Sequence, residues 1–357
     1  MKKKIKLKLG ELFCGPGGIA LGAKYASDSF EKQGCEIQHA WANDYDSDTC
    51  QTYALNFCKH DSSSIICEDV KKLKIKSLAP IDCFAFGFPC NDFSMVGEQR
   101  GFKGEFGPLY TYGVNIINHF KPKFFLAENV GGLTNSNQRM AFEKIIKDLR
   151  NSGNGYNLTV HLYKSEEYGV PQSRHRIIIV GMDQNLDKTF KVPAPISKVN
   201  YRTARDAIEC PPIPRDAANN ELTRQSQRVV ERLKCIKPGE NAWTADLPDH
   251  LKLNVKGAKL SHIYKRLDPN RPSYTITGSG GGGTHVYHWS EPRALTNRER
   301  ARLQTFPDNF IFHGSKESVR KQIGMAVPPQ LSKIIFESII KTYLDIDYEH
   351  IESSFNI

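Results

Sequence analysis

Short apolar runs recur along the first half of the chain, and each is followed by glycine, acidic or amide residues. These runs predict strands at residues 5–13, 37–42, 64–67, 81–86, 123–130, 156–163 and 176–180. Between two of them, apolar residues at helical spacing predict a helix packed in the core: Met140, Phe142, Ile145, Ile146 and Leu149. Strands that alternate with helices predict an α/β fold with a doubly wound, mostly parallel sheet.

The second half of the chain is irregular until near its end. Prolines break any long periodicity there, at Pro193, Pro195, Pro211, Pro212 and Pro214, and predict a strand-poor domain. Helical spacing returns at the end of the chain, at Leu331, Ile334, Ile335, Ser338 and Ile339. We expect this last helix to pack back on the first domain, so that the smaller domain is an insertion.

Composition narrows the class of protein. The chain has 357 residues, a hydrophobic content of 39%, and a net charge of +10, which makes a polyanionic partner plausible. Its nine cysteines form no Cys-x-x-Cys pair, which argues against a disulfide framework and a zinc ribbon. The basic N-terminus is not followed by an apolar core, and no run approaches membrane-spanning length. We therefore expect a cytoplasmic protein without a membrane or metal site.

A Pro-Cys dipeptide, Pro89-Cys90, ends the apolar run at residues 81–86. Proline cannot continue a strand ladder, so the strand must stop there. Open α/β sheets bind their ligands at the carboxyl ends of parallel strands, which makes Cys90 a candidate nucleophile. A lone cysteine is more often a small buried hydrophobic residue, and Cys90 alone does not decide between these interpretations.

A glycine-rich turn follows the first predicted strand. Gly15-x-Gly17-x-x-Ala20 fits the dinucleotide fingerprint, and this pattern suits NAD, FAD or S-adenosylmethionine equally well. The next two strands end near Asp44 and Asp69, acids that could accept from ribose hydroxyls and an adenine amino group. Each acid has an alternative interpretation as a helix N-cap or turn former.

Two further glycine-rich segments leave alternatives open. Residues 91–107 form a long connection, which is either a closing lid or a disordered link. Residues 279–284, Ser-Gly-Gly-Gly-Gly-Thr, are either a flexible linker or backbone that approaches DNA closely. Residues 191–270 contain 15 Lys and Arg against 9 Asp and Glu, which is either a phosphate-binding surface or a solvated basic face.

Seven motifs occur in an order that resembles the cytosine-5 DNA methyltransferase family. They are Phe13-Cys14-Gly15-Pro16-Gly17-Gly18, Pro89-Cys90, Glu128-Asn129-Val130, Gln172-Ser173-Arg174-His175-Arg176, and the segments 271–277, 298–307 and 322–329. The resemblance covers nearly the whole chain outside residues 182–268. It implies a Rossmann-like methyltransferase sheet with a smaller, irregular DNA-recognition domain.

The chemistry of the family's reaction explains the residue types. Carbon 5 of cytosine is a poor nucleophile, and addition of a thiolate to C6 makes it nucleophilic, so a covalent cysteine is required. The resemblance gives this role to Cys90 and gives Glu128 the contact with N3 and the exocyclic amine. It implies that Arg174 holds the base at O2 and helps orient Glu128, and it adds Arg176 to the catalytic set. The target base must be flipped out of the duplex, and residues 91–107 would close over it.

The resemblance also implies a binding site for S-adenosylmethionine. The expected residues are Phe13, Gly15, Gly17, Gly18, Asp44, Asp69, Val70, Pro89, Leu109 and Val327. Expected partners are double-stranded DNA and a cognate restriction endonuclease that acts on the same site without forming a stable complex, and the chain is expected to be a monomer. We predict a catalytic and cofactor-binding domain from residues 1–190 and 310–357, and a target-recognition domain with a hinge from residues 191–309.

The chain departs from the family pattern at three places. Asn91-Asp92 replaces the usual Gln after the catalytic cysteine, which predicts altered loop docking. Ser173 stands where a further arginine is frequent. Met325 stands where the family usually has Asn, and its thioether cannot replace the amide hydrogen bonds, so reduced activity is expected.

Four hypotheses follow from the sequence. The leading one is a sequence-specific DNA methyltransferase of a restriction-modification system. The second is the related tRNA-cytosine enzyme, which the long basic variable region disfavours. The third, suggested by Met325, is a catalytically silent DNA-binding module. The fourth is an NAD-dependent oxidoreductase, which would leave Cys90, Glu128 and Arg174 unexplained.

Overall fold

A computed structural model describes residues 4–58, 61–88, 109–131, 139–254, 260–278 and 281–357. Pro89, Cys90 and the predicted closing segment 91–107 therefore lie outside the described residues, as do two residues of the second glycine-rich segment.

The described residues form strands and helices in alternation over the first half of the chain. The strands are β1 (Ile5–Leu12), β2 (Cys35–Asp44), β3 (Ile65–Cys67), β4 (Cys83–Gly87), β5 (Phe124–Val130), β6 (Tyr156–Lys164), β7 (Gln172–Ser173), β8 (His175–Asp183), β9 (Val192–Pro193), β10 (Ser273–Tyr274) and β11 (His350–Ile351). The α-helices are α1 (Gly18–Ser29), α2 (Ser47–Phe57), α3 (Tyr110–Phe120), α4 (Arg139–Arg150), α5 (Ala204–Glu209), α6 (Gln227–Lys234), α7 (Asn297–Leu303), α8 (Lys316–Met325) and α9 (Pro329–Tyr343).

Seven strands form the main sheet, in the order β3-β2-β1-β4-β5-β8-β6. Strands β1 to β5 pair in parallel, whereas β8 is antiparallel to both β5 and β6. The predicted α/β class and the mostly parallel sheet are therefore confirmed. The order reverses between β1 and β4, because β1 is followed by β2 on one side and β4 lies on the other. Doubly wound sheets bind ligands at such a switch point.

The core of the sheet is aromatic and β-branched because its strands are buried on both faces. Phe84, Phe86 and Phe125 are fully buried, and helices α3 and α4 cover them with apolar side chains. The prediction for the α4 stripe is right for Phe142, Ile145, Ile146 and Leu149, which are buried. It is wrong for Met140, which is 84% exposed. Met140 lies in the first turn of α4, on the side of the helix away from the sheet.

Helix α9 returns to the N-terminal part of the chain. It packs on α1, where the hydroxyl of Ser332 donates to the carbonyl of Ile19 at 3.1 Å. A Cβ at Gly22 would lie 2.4 Å from the Cβ of Ser332, so the two helices approach too closely for any side chain there. Phe336 of α9 also contacts Phe124 of β5 edge-on. The predicted helix near residues 331–339 is confirmed.

The chain divides into two compact units. Unit 1 contains residues 1–164, 175–196 and 329–357, and unit 2 contains residues 165–174 and 197–328. Unit 1 holds the seven-stranded sheet and α9. Unit 2 has few strands in its described residues, only the two-residue pair β7 and β10, and its core packs around α5 and α7. The sequence predicts a catalytic and cofactor-binding domain from residues 1–190 and 310–357 and a target-recognition domain from residues 191–309. This assignment of functions stays a prediction.

In unit 2, buried arginines hold irregular backbone together. The guanidinium of Arg298 donates to the carbonyl oxygens of Ala218, Pro307 and Phe310. Buried carbonyl groups outside helices and strands need hydrogen-bond donors. In this part of the chain, which has few strands, arginine side chains provide them. No helix in the described parts of the chain is both long enough and apolar enough to cross a membrane.

Candidate active site

The candidate active site lies in unit 1, where the carboxyl ends of β1 and β4 meet. Leu12 of β1 pairs in register with Phe86 of β4, so the glycine-rich turn after β1 and the segment after β4 leave the sheet at neighbouring positions. Gly87 of β4 pairs in turn with Glu128 of β5. Three of the sequence motifs therefore converge at this edge of the sheet.

The turn after β1 has a strained backbone. Phe13 has a φ of 53°, a left-handed value that non-glycine residues rarely adopt. Gly15 and Gly17 also have positive φ values, of 56° and 95°. A Cβ at Gly17 would lie 2.3 Å from the ring of Phe57, whereas a Cβ at Gly15 would meet no atom within 4 Å. Glycine is thus required at both positions by conformation, and at Gly17 also by close packing.

Gly17 is the N-cap of α1 and provides no side chain to bind the first amides of that helix. Those N–H groups point out of the helix end and attract anionic groups. Together with the open space beside Gly15, this leaves backbone that a ligand can approach closely. The turn therefore fits the carboxylate and ribose of a bound nucleoside cofactor.

Asp44 holds the glycine turn in place. One carboxylate oxygen accepts the amide of Gly15 at 3.0 Å, and the other accepts the amide of Asp46 at 3.1 Å. Burial raises the pKa of Asp44, and these two amides act in the opposite direction. Asp44 therefore stabilises the turn, as its turn-forming interpretation predicts, and its role towards a ribose stays a prediction.

A buried acid lies beneath this turn. Glu11 of β1 is 1% exposed and accepts a hydrogen bond from the hydroxyl of Tyr53 at 2.6 Å. Burial raises the pKa of Glu11 to about 7, and the Tyr53 hydroxyl partly opposes this rise. The ring of Tyr53 packs against Phe57, which in turn contacts Gly17. The sequence analysis did not identify Glu11, because its position in an alternating strand is typical of a solvated acid.

Three other residues predicted to bind the cofactor, Asp69, Val70 and Leu109, lie in unit 1. Asp69 caps a short 3₁₀ turn through a hydrogen bond from the amide of Lys71 at 2.9 Å, as its turn-forming interpretation predicts. Val70 and Leu109 are buried and belong to the hydrophobic core beside the sheet. Their role towards a cofactor stays a prediction.

Glu128 and Arg176 form an ion pair at the ends of β5 and β8. The Nε of Arg176 lies 2.9 Å from Oε1 of Glu128, and the two side chains are only 13% and 12% exposed. Burial lowers the pKa of Arg176, and the carboxylate of Glu128 opposes this shift. The other oxygen of Glu128 lies over Gly87, 3.2 Å from where a Cβ would be. Glu128 is thus held beside the residue that leads into Pro89-Cys90.

Asn129 anchors the segment that leads to the predicted nucleophile. It is 2% exposed, and its Nδ2 donates to the carbonyl of Phe88 at 3.4 Å. Its Oδ1 accepts the amide of Val130. Glu128 and Asn129 therefore have separate tasks in the same motif, since the acid faces Gly87 and the amide fixes the backbone before Pro89.

Three sequence-predicted features belong to unit 2. The guanidinium of Arg174 donates to the carbonyls of Ile276 and Gly324, at 3.2 and 3.0 Å. Met325, the last residue of α8, is 61% exposed, and Val327 is buried. The arginine that pairs with Glu128 is Arg176 of unit 1, and the role predicted for Arg174 towards the base stays a prediction.

The structure reveals one more candidate that the sequence analysis missed. Tyr45 follows Asp44 directly, and 65% of its surface is exposed. A large exposed ring at the end of a buried strand offers a stacking surface for a planar base. Its only sequence signal was an aromatic residue between two acids, Asp44 and Asp46.

Comparisons with known proteins identify the family to which this chain is similar. A family model of C-5 cytosine-specific DNA methylases matches residues 7–341. The type II methyltransferase M.BbvI of Brevibacillus brevis is 56% identical over 99% of this chain and 96% of its own. M.NgoFVII of Neisseria gonorrhoeae, another type II methyltransferase, is 41% identical over 97% of this chain and 90% of its own. Among solved structures, a DNA modification methyltransferase encoded within an E. coli prophage has a TM-score of 0.70 at 25% identity, covering 94% of this chain and 99% of its own.

Proposed function

The chain belongs to the C-5 cytosine-specific DNA methylase family and is a DNA (cytosine-5-)-methyltransferase, and we propose that it serves as the modification enzyme of a type II restriction-modification system. Relatives that carry the type II designation align over nearly its whole length, which supports this role. On this proposal the enzyme flips a cytosine out of duplex DNA at a specific sequence and methylates its carbon 5.

The observation that carries the mechanism is the position of Glu128. Its carboxylate pairs with Arg176 at 2.9 Å and lies over Gly87, three residues before Cys90 along the chain. An acid held over Gly87, on the strand that leads to the predicted nucleophile, can donate to a base whose ring takes up electrons during the reaction. Glu128 is therefore assigned to N3 and the exocyclic amine of the flipped cytosine, and Arg176 keeps it in position.

In the proposed reaction, the thiolate of Cys90 forms a bond to C6 of the cytosine, and the ring electrons move to C5. Glu128, in its protonated form, donates to N3 and so stabilises the negative charge that develops there. After C5 has gained its methyl group, it loses its proton, and the C6–sulfur bond breaks to restore the ring and the thiolate. Asn129, through the carbonyl of Phe88, fixes the backbone from which Cys90 extends. Arg174 is assigned to O2 of the base.

The proposed methyl donor is S-adenosylmethionine, and family membership supports S-adenosylmethionine-dependent methylation. When bound, it supplies an electrophilic methyl group. The residues of the turn fit it, because Gly15 leaves open space and the first amides of α1 have no side-chain cap. Phe13, Gly17, Gly18 and Asp44 would hold the methionine and ribose portions. Asp69, Val70 and the exposed ring of Tyr45 would surround the adenine, and Pro89 and Leu109 would complete the pocket. Val327 of unit 2 stays a predicted cofactor residue.

Duplex DNA is the proposed partner, and a cognate endonuclease would cut the same sequence without a stable complex. Residues 1–190 and 310–357 would then be the catalytic and cofactor-binding domain, and residues 191–309 the target-recognition domain. We further propose that the enzyme is a cytoplasmic monomer. The described cysteines are free thiols, which fits a reducing compartment.

The direct test is methyl transfer from labelled S-adenosylmethionine to duplex DNA of mixed sequence. The modified base is identified by mass spectrometry, and the flanking sequence of every modified site is read. We expect 5-methylcytosine within one short motif. Label in another base, or cytosine label scattered without a common motif, would contradict the proposal. A tRNA substrate in the same assay is the comparison, and we expect no label in it.

A further inference from the structure

The buried arginines of unit 2 differ in how their charge is satisfied. Arg266 is 6% exposed, and its guanidinium donates to four carbonyl oxygens: those of Leu233, Ile236, His288 and Glu291. Arg298 is fully buried and has three carbonyl partners. Arg302 pairs with the carboxylate of Asp308. In each case the cost of burying a charged group is offset by oxygen acceptors.

Arg300, unlike these three arginines, has no oxygen acceptor among the described residues of unit 2. It is 3% exposed, and the one hydrogen bond that its guanidinium makes there is from Nη2 to Nδ1 of His285, at 3.5 Å. Its neighbour Glu299 is already bound by Arg293 and by the amide of Thr296. Burial lowers the pKa of Arg300 to about 10, so its charge persists at neutral pH. A guanidinium has five donors, and the described residues supply one acceptor, a ring nitrogen, to those of Arg300.

A second arginine beside Arg300 adds positive potential, which Tyr274 and Glu299 partly oppose. Arg320 of α8 lowers the pKa of Arg300, and both arginines contribute to lowering the pKa of His285, which burial brings to about 4. His285 is therefore neutral at pH 7. Since a guanidinium can only donate, Nδ1 of His285 accepts its hydrogen bond and the ring proton lies on Nε2. Nε of Arg320 is also buried without a hydrogen-bond partner in the described residues.

This cluster reaches the surface of unit 2. The side chain of Arg320 is 15% exposed and contacts Glu317 at 3.5 Å, a residue that is itself 85% exposed. Tyr287, which stands edge-on to His285, donates to the carbonyl of Gly282 at 2.7 Å. Gly281 and Gly282 are exposed, and a Cβ at either would meet no atom within 4 Å. Bare backbone thus lies next to the cluster, which favours the interpretation that this segment approaches DNA closely.

We propose that Arg300, Arg320 and His285 form a phosphate-binding subsite that takes one phosphodiester group of the bound duplex. The subsite offers two cationic side chains and one neutral N–H donor, which match the several acceptor oxygens of a phosphate. It contributes affinity and orientation without reading a base. This inference rests on the proposed function, because it assumes that the chain binds duplex DNA.

The test measures DNA affinity of the full chain over a range of salt concentrations, because each neutralised phosphate contributes about 0.9 to the slope of log K against log salt. We expect Arg300→Met to weaken binding to every duplex alike and to reduce the slope by about 1. The melting temperature of the free protein should stay the same or rise, since a buried guanidinium with no oxygen acceptor among the described residues is removed. Affinity for S-adenosylmethionine should not change.

Two further variants keep the test decisive. Arg320→Met, at a partly exposed position, should reduce the slope in the same way even if the Arg300 variant folds poorly. Arg266→Met is the matched control, because all its acceptors are internal. It should lower the melting temperature while the slope of the folded protein stays as in the wild type.

The outcomes separate the inference from the proposed function. Unchanged slopes in the Arg300 and Arg320 variants of an enzyme that still methylates DNA would overturn the subsite alone. A wild-type protein that binds no duplex would overturn the proposed function and the subsite with it. Inorganic phosphate is the second probe. If it raises the melting temperature of the wild type but not of Arg300→Met, while the DNA slopes agree, the subsite binds free phosphate and its assignment to DNA is wrong.

Discussion

The ion pair between Arg176 and Glu128 should behave as one energetic unit. Its atoms are 2.9 Å apart, and both side chains are almost entirely shielded from water. Removing one partner of a buried pair costs about 3–5 kcal/mol, because the other charge is left buried and uncompensated. We therefore expect Arg176→Met and Glu128→Gln each to lower the free energy of unfolding. The double variant should lose less than the sum of the two, by about 1–3 kcal/mol.

The assay is urea unfolding of the protein without DNA or cofactor, with the wild type, both single variants and the double variant. An exposed pair in the same unit is the matched control. Nε of Arg139 lies 3.0 Å from Oε1 of Glu143, but these side chains are 79% and 61% exposed. Its coupling should be about 0.3–0.5 kcal/mol. If the Arg176 and Glu128 substitutions were additive to within about 0.5 kcal/mol, as expected of independent sites, the argument that Arg176 positions Glu128 would be refuted.

Three other predictions follow from the structure. Gly22→Ala should lower the free energy of unfolding in urea by about 1–3 kcal/mol or more, because the added Cβ would clash with Ser332. Gly281→Ala should be nearly neutral, and equal effects of the two substitutions would contradict the close packing of α1 on α9. The pKa of Glu11 is raised to about 7 in the folded protein, so the free energy of unfolding should fall by about 3 kcal/mol as the pH rises from about 4.5 to 7. Glu11→Gln should remove this fall, and an unchanged pH profile in that variant would be inconsistent with a titrating Glu11. Met325→Asn should raise the methylation rate or the affinity for S-adenosylmethionine without a change in melting temperature, since Met325 is exposed; no gain in either would mean that the departure is harmless.

Much of the fold was predictable because buried strands and their end residues leave a local pattern. The apolar run at residues 81–86 and the helical spacing after Arg139 depend only on neighbouring residues. Met140 shows one limit of a list of apolar positions. At about 100° per residue it lies on the side of α4 opposite Phe142, Ile145, Ile146 and Leu149, so the helical period itself places it away from the core.

The candidate site shows a second limit. The family resemblance assigns Glu128, Arg174 and Arg176 to one catalytic set. The register between β5 and β8 decides which arginine pairs with Glu128. In that antiparallel pair Arg176 lies opposite Val130, next but one to Glu128. A register between strands far apart in the chain is set by tertiary packing, so motif order alone could not assign the partner.

In the proposed mechanism, Cys90 adds covalently to C6 of a flipped cytosine. The mechanism requires loss of the proton at C5 before the enzyme is released, so fluorine at that position should prevent release. The most direct measurement is a denaturing gel of the enzyme with a duplex that contains 5-fluorocytosine in its recognition motif and S-adenosylmethionine. We expect an adduct that resists denaturation in the wild type and in Cys67→Ala, which alters an exposed thiol, but not in Cys90→Ala. An adduct in Cys90→Ala, or none in the wild type under conditions where ordinary duplex is methylated, would contradict the proposed mechanism.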